Sequence, residues 1–573
     1  MNIIKKNADL LCIITISIAI YFLIFGFLSI NINNYNLVQR HFLNCCFGSS
    51  LGGFYDISQH YLGSVFYRMD DFHSKIFSIS NICYPYGSSV INTDSIPLFA
   101  LIFKILHKFF GLSPWTQYFG IWTLFCFILQ GVFSVLILRE LKLDKCSIII
   151  SSLFLILSPI MIIRMFEHSA LAAHFLILAS IYFYIKDLSI NRRILFWSLI
   201  FIVIFVIQPN FLPMCFAIYC ADFAKRIFIT KEIKLLKFIL SFFLLCIFMF
   251  FFMILTGIFS FDTIGGLGYG LFSANLNSLF NPIDYSIIVR KFSIATNRQY
   301  EGYGYLGFGI ILLLLLALYK IKNITQLTDI KQNFHIKETW PIYCAIIGLI
   351  VFAVTNKVYF GNHLIFSYYL PESINKLFNV FRTSGRMIWP VWYIIFFTVI
   401  YILHNTINKK RFIILLCITF IIQVIDLCPL LINRHLAVKY FNKVPNKSIL
   451  INPNWYNGEY AKKYDGINLV QYTNMYQNPE ITYFYSFFWI WALKNNKNVN
   501  FGYLSRVSSK VLIDMLEDLY KIKNDIIPNN KRIYVILPSA YMLIAKEAKT
   551  NPKAANMLKK LRYENFGVYI LAP

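Results

Sequence analysis

The sequence predicts a polytopic α-helical membrane protein with about eleven transmembrane helices and a soluble α/β domain at its C-terminal end. Of its 573 residues, 58% are hydrophobic and only 14% are charged, whereas soluble domains are about 45–50% apolar and about 25% charged. The apolar residues gather in runs of the length that crosses a bilayer, about 20 residues. From residue 432 onward the chain is more polar and alternates short strand-like and helical segments. This composition excludes a soluble enzyme, a disordered chain and a disulfide-stapled fold.

Positive charge sets the predicted topology. Lys and Arg number 53 against 27 Asp and Glu, and the surplus falls in five loops between apolar runs and in the tail. Loops rich in Lys and Arg face the cytoplasm, which places the N-terminus, with Lys5 and Lys6, on that side. The sequence lacks the basic stripe interleaved with aromatic residues that would indicate nucleic-acid binding. We therefore expect no nucleic-acid partner.

Two early apolar segments decide how the chain is threaded. Residues 8–30 lack a small-residue cleavage site and are long for a signal peptide, so we expect a retained helix. Residues 94–110 contain Lys104 and Lys108, whose stems can snorkel from a helix on the membrane surface. As a span, this segment would place every later basic loop outside, so we expect a surface helix. The predicted spans are 8–30, 116–138, 146–164, 168–186, 194–208, 210–228, 237–259, 304–321, 340–355, 387–405 and 411–431.

This topology predicts two domains. Residues 1–431 form the transmembrane domain, which includes a first outer loop at 31–115, and the odd number of spans sends residues 432–573 outside. In that tail SILIN, INLVQY, RIYVILP and FGVYILA resemble strands and alternate with helical stretches, which is typical of an α/β domain. Cysteine usage leaves open whether Cys45, Cys46 or Cys83 forms a disulfide in the first outer loop.

Ionisable residues near the outer ends of the spans are the first candidates for chemistry, because such groups are costly at membrane depth. Asp56 opens the segment DISQHYLGSVFYR and shares a helical face with His60. The helix dipole would keep this carboxylate ionised, and the alternative is an ordinary helix cap. Asp94 precedes Pro97 at the start of the surface helix, where a cap is the favoured interpretation.

Two further groups of polar residues lie at outer turns. Glu167 and His168 occupy a tight turn between spans, and a solvated hairpin is the alternative interpretation. His168 could join Asp56 and His60 in holding a divalent metal ion, since imidazole and carboxylate suit several such ions. Arg382 and Arg386 flank Ser384-Gly385 before a span, where their forks match phosphate oxygens, and anchoring to lipid phosphates is the alternative.

The order of these parts resembles that of the GT-C superfamily of membrane glycosyltransferases, such as protein O-mannosyltransferases and lipid A aminoarabinose transferases. The stretch DSIPLFALIFKILHKFFG corresponds to the surface helix that begins with an HPPL-like sequence in those enzymes. Over most of residues 45–400 the chain is similar to an uncharacterised bacterial membrane family that we associate with GT-C folds. The motifs that carry this similarity are DISQHYLGSVFYR, DSIPL, QYFGIW, LQGVF, EHSALAAHFLI, EGYGYLGFG and FRTSGRMIWPVWY.

The resemblance implies a hexosyl- or pentosyltransferase that moves a sugar from a polyprenyl-phosphate donor to an envelope glycan or glycolipid. It places the protein in the bacterial inner membrane, among membrane lipids, with the tail in the periplasm. Asp56 becomes the general base, assisted by Glu167 and His168. The histidine of the HPPL-like start is absent, and position 56 carries one acid rather than a pair. No cofactor is certain, and a divalent metal ion remains open. The expected substrate-binding residues are His60, Arg68, Asp94, Tyr303, Tyr305, Arg382 and Arg386.

Two other functions remain as alternatives. A lipid or glycan transporter or flippase would suit eleven spans, although transporters favour internal repeats and charges near the midplane, and the span interiors here are almost free of charge. A non-catalytic scaffold would use the spans only to anchor a partner-binding tail. The gathering of polar residues at the outer ends of the spans favours chemistry at the outer face.

Overall fold

A computed structural model describes residues 7–39, 56–257, 263–265, 268–322, 336–443, 450–471 and 479–573. These residues are mostly α-helical, and the chain divides into two compact units. Unit 1 comprises Met1–Ile30, Phe119–Met249 and Leu267–Lys439, and unit 2 comprises Asn31–Tyr118, Phe250–Gly266 and Tyr440–Pro573. Of the three cysteines in the first outer loop, Cys83 is a buried free thiol, and Cys45 and Cys46 lie outside the described residues.

The helices and strands are numbered in chain order. The α-helices are α1 (Ala8–Phe25), α2 (Asp56–Met69), α3 (Pro97–Phe110), α4 (Phe119–Glu140), α5 (Lys145–Ile156), α6 (Pro159–Ile162), α7 (Phe175–Ile185), α8 (Ile190–Ile207), α9 (Leu212–Ala224), α10 (Leu235–Thr256), α11 (Phe308–Lys322), α12 (Ile336–Val354), α13 (Glu372–Phe378), α14 (Trp389–Thr406), α15 (Lys409–Asp426), α16 (Cys428–Lys443), α17 (Glu459–Lys463), α18 (Pro479–Lys494), α19 (Ser509–Lys523), α20 (Pro538–Glu547) and α21 (Pro552–Lys560). The strands are β1 (Ser78–Ile79), β2 (Ser88–Ser89), β3 (Thr263–Gly265), β4 (Lys357–Phe360), β5 (His363–Ser367), β6 (Gly466–Val470), β7 (Asn498–Val499), β8 (Arg506–Ser508), β9 (Arg532–Ile536), β10 (Arg562–Asn565) and β11 (Val568–Leu571).

Among the described residues, six helical segments are long and apolar enough to cross a bilayer, and a seventh counts if the bent pair α15–α16 is one span. The six are α1, α4, α5 with α6, α8, α10 and Ser384–Thr406, which includes α14. The chain is therefore a multi-pass helical membrane protein, as predicted. The predicted count of about eleven spans is larger than the number of helices that meet this length and apolarity among the described residues.

The predicted number of spans exceeds the number of qualifying helices because several apolar runs are longer than the helices inside them. The helix predicted at 168–186 is interrupted before Phe175, which leaves α7 with 11 residues. Helix α9 has 13 residues and α11 has 15, and the axis bends by 52° between α15 and α16. Composition locates an apolar run, but it does not register a backbone turn or a polar anchor inside the run.

One such anchor explains why α11 begins only at Phe308. Gln423 of α15 donates to the Leu306 carbonyl at 3.0 Å, and the Asp426 carboxylate accepts from the Phe308 N–H at 2.9 Å. Gly307 has φ +88°, and a Cβ there would lie 1.9 Å from the Gln423 side chain. The extended segment YGYLG is thus held against α15, so the helix cannot start earlier.

Unit 2 contains a mixed five-stranded sheet of order β10-β11-β9-β6-β7. Strand β6 runs parallel to β7 and β9, with Gly466 opposite Arg532, and β11 runs antiparallel to β9 and β10. Buried apolar residues of β6 and β9 pack against α19, α20 and α21. Three of the four predicted strands are found as β6, β9 and β11, whereas SILIN forms no strand in its described part.

The first outer loop belongs to unit 2 together with the tail, whereas the sequence grouped it with the spans. Backbone hydrogen bonds join the two segments, from the Val499 N–H to the Asn81 carbonyl at 3.0 Å and from the Tyr84 N–H to the Val499 carbonyl at 2.9 Å. Phe66 of α2 also meets Trp489 of α18 edge to face at 5.3 Å. These contacts extend the edge of the sheet with residues that lie about 400 positions earlier.

Helix α3 coincides with the predicted surface helix. It has 14 residues, fewer than a span requires. Lys104 does not snorkel as expected, because its ammonium is buried, donates to the Asp71 carbonyl at 2.8 Å and lies 4.1 Å from the centre of the Tyr67 ring. Burial lowers the pKa of Lys104 to about 8. Lys108 instead pairs with the exposed Asp71 carboxylate at 3.1 Å.

Candidate functional site

Unit 1 gathers five buried or mostly buried ionic side chains, which we call the arginine–glutamate cluster: Arg164, Glu167, Glu301, Arg386 and Arg434. Arg386 donates to both oxygens of Glu301, from Nε and from Nη2, each at 2.9 Å. Arg164 Nη2 lies 2.9 Å from the same carboxylate, and Arg434 Nη1 lies 3.1 Å from Glu167. Among the described members of the cluster, three guanidinium groups face two carboxylates, an excess of one positive charge.

The two carboxylates of the cluster have opposite protonation tendencies. Burial alone would raise the pKa of Glu301, but Arg164 and Arg386 outweigh it and hold that pKa well below its usual range. Burial raises the pKa of Glu167 above its usual value despite the opposing charges of Arg434 and Arg164. A pair of carboxylates with pKa values pushed apart is typical of sites that separate acid and base roles. Here Glu301 is the fixed anion and Glu167 is the group that takes up a proton more readily.

The segments that carry the cluster are irregular, and two glycines let them approach. Glu301 lies in the 3₁₀ turn Asn297–Gly302 and Arg386 in the 3₁₀ turn Ser384–Ile388. A Cβ on Gly385 would lie 2.8 Å from the Gly302 Cα and 2.8 Å from the Phe272 carbonyl oxygen. The bidentate pair of Glu301 and Arg386 therefore depends on the absence of a side chain at position 385.

Aromatic residues line the cluster and leave polar atoms without partners. The guanidinium of Arg164 lies 5.4 Å from the centre of the Trp389 ring, and the Trp389 indole donates to the Tyr303 carbonyl at 3.3 Å. Among the described residues, Arg164 Nε, the Tyr303 hydroxyl and Ser384 Oγ are buried with no hydrogen-bond partner. Buried donors normally have partners, so unpaired donors beside an excess positive charge suit an anionic ligand.

Two predicted substrate-binding residues of unit 1 have other surroundings. Tyr305 donates to Asp426 at 2.7 Å, and Asp426 also accepts from Ser286, so this tyrosine fixes the end of α15. Arg382 is half-buried beside Gly268. His168 lies near enough to Glu301 to help lower its pKa. Of the predicted residues of unit 1, the structure therefore brings together Glu167, His168, Tyr303 and Arg386.

Asp56 and His60 lie one turn apart at the start of α2 in unit 2. Asp56 is partly buried, and one of its carboxylate oxygens accepts from the Tyr503 hydroxyl at 3.3 Å. His60 is fully buried, and burial lowers its pKa to about 3. The imidazole of His60 is therefore neutral at physiological pH, which is the form that binds a metal ion or shares a hydrogen bond.

Asp94 lies in a strained turn that packs against α2. Asp94 has φ +53° and Ile96 has φ +52°, a conformation that is a genuine outlier for a β-branched residue. The Ser95 hydroxyl holds the turn by donating to the His60 carbonyl at 2.6 Å, and a Cβ on Gly63 would lie 2.4 Å from Thr93. Strain of this kind is found at ligand sites, where the surrounding structure enforces it. The predicted role of Asp94 as the cap of the surface helix is wrong, because the N-cap of α3 is Ile96.

A ring nitrogen of His60 and a carboxylate oxygen of Asp94 lie within 4.8 Å of each other. A neutral imidazole and a carboxylate at this separation fit two ligands of one divalent ion.

Arg68 is buried and serves the packing of unit 2 rather than a substrate. Its guanidinium donates to the Thr116 carbonyl at 2.7 Å, to the Ser64 carbonyl at 3.1 Å and to the Ser64 hydroxyl at 3.0 Å. The side chain is fully buried, and among the described residues it pairs with no carboxylate. Arg68 thus joins α2 to the segment before α4, which leaves it unavailable to the substrate that the sequence assigned to it.

Sequence reasoning missed three members of the cluster. Arg164, Glu301 and Arg434 are not singled out by the sequence analysis. The motif EGYGYLGFG contained a signal, because an acid enclosed by glycines and aromatics is unusual in a solvated loop. Nothing in the sequence around Arg434 indicates that a helix beyond the last predicted span returns an arginine to Glu167.

A family model described as a domain of unknown function, DUF6311, matches residues 14–428 of the chain. The matched segment includes Glu301 and Arg386 of the cluster and the residues of the Asp94 turn. No curated protein matches the chain.

Proposed function

The chain belongs to the DUF6311 family, whose description assigns no reaction, and we propose that it is a glycosyltransferase. In this proposal it moves one hexose or pentose from a polyprenyl-phosphate donor to a hydroxyl of an envelope glycan or glycolipid. The observation that carries the proposal is the arginine–glutamate cluster, with its excess positive charge and unpaired donors. The resemblance to GT-C enzymes supplies the substrate class.

The cluster suits the leaving phosphate of such a donor. Arginine presents a planar fork of donors to phosphate oxygens and stays charged at any physiological pH. Glu301 fixes Arg164 and Arg386 in place before the ligand arrives, and donors fixed in advance need no reorganisation as charge develops. Arg434 and the Tyr303 hydroxyl are the donors that we assign to the phosphate, together with the open positions of Arg164.

We propose Asp56 as the general base, which is the role that the resemblance to GT-C enzymes implies for it. It takes the proton of the acceptor hydroxyl while the acceptor oxygen bonds to the anomeric carbon. The bond from that carbon to the phosphate oxygen breaks, and the phosphate leaves with the electron pair. General-base catalysis of this kind typically contributes about 10²–10⁴-fold. Glu167, with its raised pKa, and His168 are proposed to orient the acceptor.

A divalent metal ion, where one is used, is assigned to His60 and Asp94. Both are ligand types of such ions, and burial keeps the imidazole of His60 neutral, which is the form that binds a metal ion. The chemistry that such an ion would supply is Lewis-acid stabilisation of negative charge. The proton transfer assigned to Asp56 does not pass through the ion.

The membrane arrangement completes the proposal. The loop charges favour a cytoplasmic N-terminus and an extracytoplasmic tail in the bacterial inner membrane. The short apolar helices Ser169–Ile185, Phe308–Ile321 and Thr339–Val354, and α9, are proposed to bring the number of crossings to about eleven. The five-stranded sheet with its helices supports the α/β assignment of the tail.

The test compares the intact masses of envelope glycolipids and glycoproteins from a deletion strain, the wild type and point variants with matched expression. Asp56→Asn and Arg386→Gln should lose the same sugar-sized mass as the deletion. Asp71→Asn, an exposed acid of unit 2 whose carboxylate is 91% exposed, is the matched control and should keep it. A mass lost only in the deletion would refute Asp56 as the base, with Glu167 the next candidate. No mass change in the deletion, under conditions in which the gene is expressed, would refute the transferase.

A further inference from the structure

The hairpin β4–β5 in unit 1 presents large apolar side chains. Neither of its two strands, Lys357–Phe360 and His363–Ser367, contains a buried residue. All five residues of β5 are exposed. If one face of the strand packed on protein, alternate residues would be buried, because successive side chains of a strand point to opposite faces. The exposed side chains are nevertheless large and apolar: Phe360, Leu364, Ile365 and Phe366 are 51–62% exposed, and Tyr369 is 85% exposed.

Exposed apolar residues occur again beyond the hairpin, at Leu377 of α13 and at Val380 in the 3₁₀ turn that follows it. Leu377 is 66% exposed and Val380 is 46% exposed. Together these residues form a contiguous stretch of chain in which few charges occur, and Glu372 and Lys376 of α13 pair with each other at 2.8 Å. Surfaces of this kind mark a binding site on a protein that would otherwise expose them to water.

The hairpin is held firmly, so its exposure is not that of a loose loop. Asn275 brackets the turn by donating to the Gly361 carbonyl at 2.7 Å and accepting from the Gly361 N–H at 2.9 Å. The Leu276 N–H donates to the Tyr359 carbonyl at 2.9 Å. At the open end, the Tyr368 N–H donates to the Asn356 carbonyl at 3.1 Å. These bonds fix where the apolar side chains are presented.

We infer that the β4–β5 hairpin inserts into the headgroup layer of the bilayer and is a lipid-binding surface of the protein. A partner protein would cover one face of a single-layer hairpin and leave the other in water, whereas lipid surrounds both faces. The hairpin also begins three residues after α12, an apolar helix that we propose above to cross the bilayer. Tyr359, Tyr368 and Tyr369 are side chains typical of the membrane–water interface.

The backbone sets the depth of insertion. Strand β5 pairs only with β4 among the described residues, so its other edge presents unpaired N–H and C=O groups. Such an edge is not tolerated in the hydrocarbon core, where nothing satisfies these groups. Water and lipid phosphates satisfy them in the headgroup layer, where exposed Lys357 can also meet anionic phosphate. The surface therefore binds lipid headgroups and the upper part of the acyl chains.

The test places the photocrosslinking residue benzoylphenylalanine at Ile365 or at Tyr369 in the full chain. The protein is reconstituted in nanodiscs of phosphatidylethanolamine and phosphatidylglycerol, irradiated, and analysed by intact mass. Phe243 of α10, 62% exposed on a candidate span, is the positive control. Tyr520 of α19, an exposed tyrosine of unit 2, is the control for an exposed aromatic residue.

We expect phospholipid adducts at both hairpin positions in yields close to that at Phe243 and at least about fivefold above that at Tyr520. Because both hairpin residues are exposed, the substitutions should leave gel-filtration behaviour unchanged, and either position alone decides the result. Adducts with a second copy of the chain would overturn the inference in favour of a protein interface. Yields at both positions equal to that at Tyr520 would also overturn it, since the hairpin would then face water.

Discussion

The Arg193–Asp222 network and the arginine–glutamate cluster are both buried in unit 1, and both join arginine to carboxylate. In the first, Arg193 Nη1 meets both oxygens of Asp222 at 2.8 Å, and the Trp197 indole donates to the same carboxylate at 2.9 Å. Arg226 lies 3.7 Å from Asp222 and pairs with Glu232 at 3.0 Å. Two arginines thus face two carboxylates within the segment that runs from α8 to the loop before α10, and the charges balance.

The cluster differs in charge and in the segments that carry it. It has three arginines for two carboxylates, and its members lie on turns and on a helix far apart in sequence rather than on one hairpin. A balanced buried pair needs no further ion, whereas an excess buried charge is costly unless a ligand completes it. The charge balance, and not the presence of buried arginine, therefore separates a packing device from a ligand site.

The largest expected loss of stability follows from breaking the charge-balanced Arg193–Asp222 network. Asp222→Ala leaves Arg193 buried without its counter-ion, and breaking such a pair costs about 3–5 kcal/mol. Thermal unfolding of the purified protein in detergent should show a large fall in Tm that added phosphate does not restore. Asp284→Ala is the control, since its exposed pair with Lys291 is expected to be worth about 0–1 kcal/mol. Equal Tm values for the two variants would contradict a structural role for Asp222.

Glu301→Gln probes the cluster with the same chemistry. The loss in the free energy of unfolding should be at the lower end of about 3–5 kcal/mol, because Gln keeps one acceptor oxygen for the arginines. Inorganic phosphate or pyrophosphate should raise the Tm of this variant more than that of the wild type, since an anion replaces the lost charge and stabilises by mass action. A response no greater than that of Asp222→Ala would contradict the distinction between the two networks.

The limits of sequence reasoning follow the same division. The spans and the tail strands were found because hydrophobic period and β-propensity are local, and INLVQY and RIYVILP became β6 and β9. Glu167 was found because the turn between two spans is local too. The partner of Glu167 is Arg434, 267 positions later, and nothing in the local pattern of either residue records that approach. Helix breaks inside apolar runs could not be predicted for a related reason, because they arise from anchors such as Asp426 on another helix.

Gly385→Ala tests whether the close approach of the two turns builds the cluster. A methyl group there would lie 2.8 Å from two backbone atoms, so the turns must separate, at a cost of about 1–3 kcal/mol. The variant should also lose the sugar transfer proposed above, because Arg386 moves away from Glu301. Gly348→Ala in α12 is the matched control, since a Cβ there meets nothing within 4 Å, and helix propensity favours Ala by about 0.5–1 kcal/mol. Retained transfer in Gly385→Ala would show that the pair tolerates a wider separation.

The smallest expected effect is that of Glu167→Gln on stability. Its sign differs from that of Glu301→Gln and so distinguishes the two carboxylates of the cluster. Glu301 has a depressed pKa, so its stabilising contribution is present above the usual glutamate pKa and is lost as the pH falls through its own lower pKa. Glu167 has a raised pKa, so its ionised form lowers stability, and that loss is relieved as the pH falls. At neutral pH the free energy of unfolding of Glu167→Gln should therefore equal that of the wild type or exceed it by less than about 1 kcal/mol. The measurement is the Tm of each variant and of the wild type from neutral to acidic pH. The Tm difference between Glu167→Gln and the wild type should shrink towards zero as the pH falls. Glu301→Gln should stay less stable than the wild type until the pH is well below the usual glutamate pKa. A fall in stability of Glu167→Gln as large as that of Glu301→Gln would mean that the ion pair with Arg434 outweighs burial, and that Glu167 is a second fixed anion rather than the proton acceptor of the cluster.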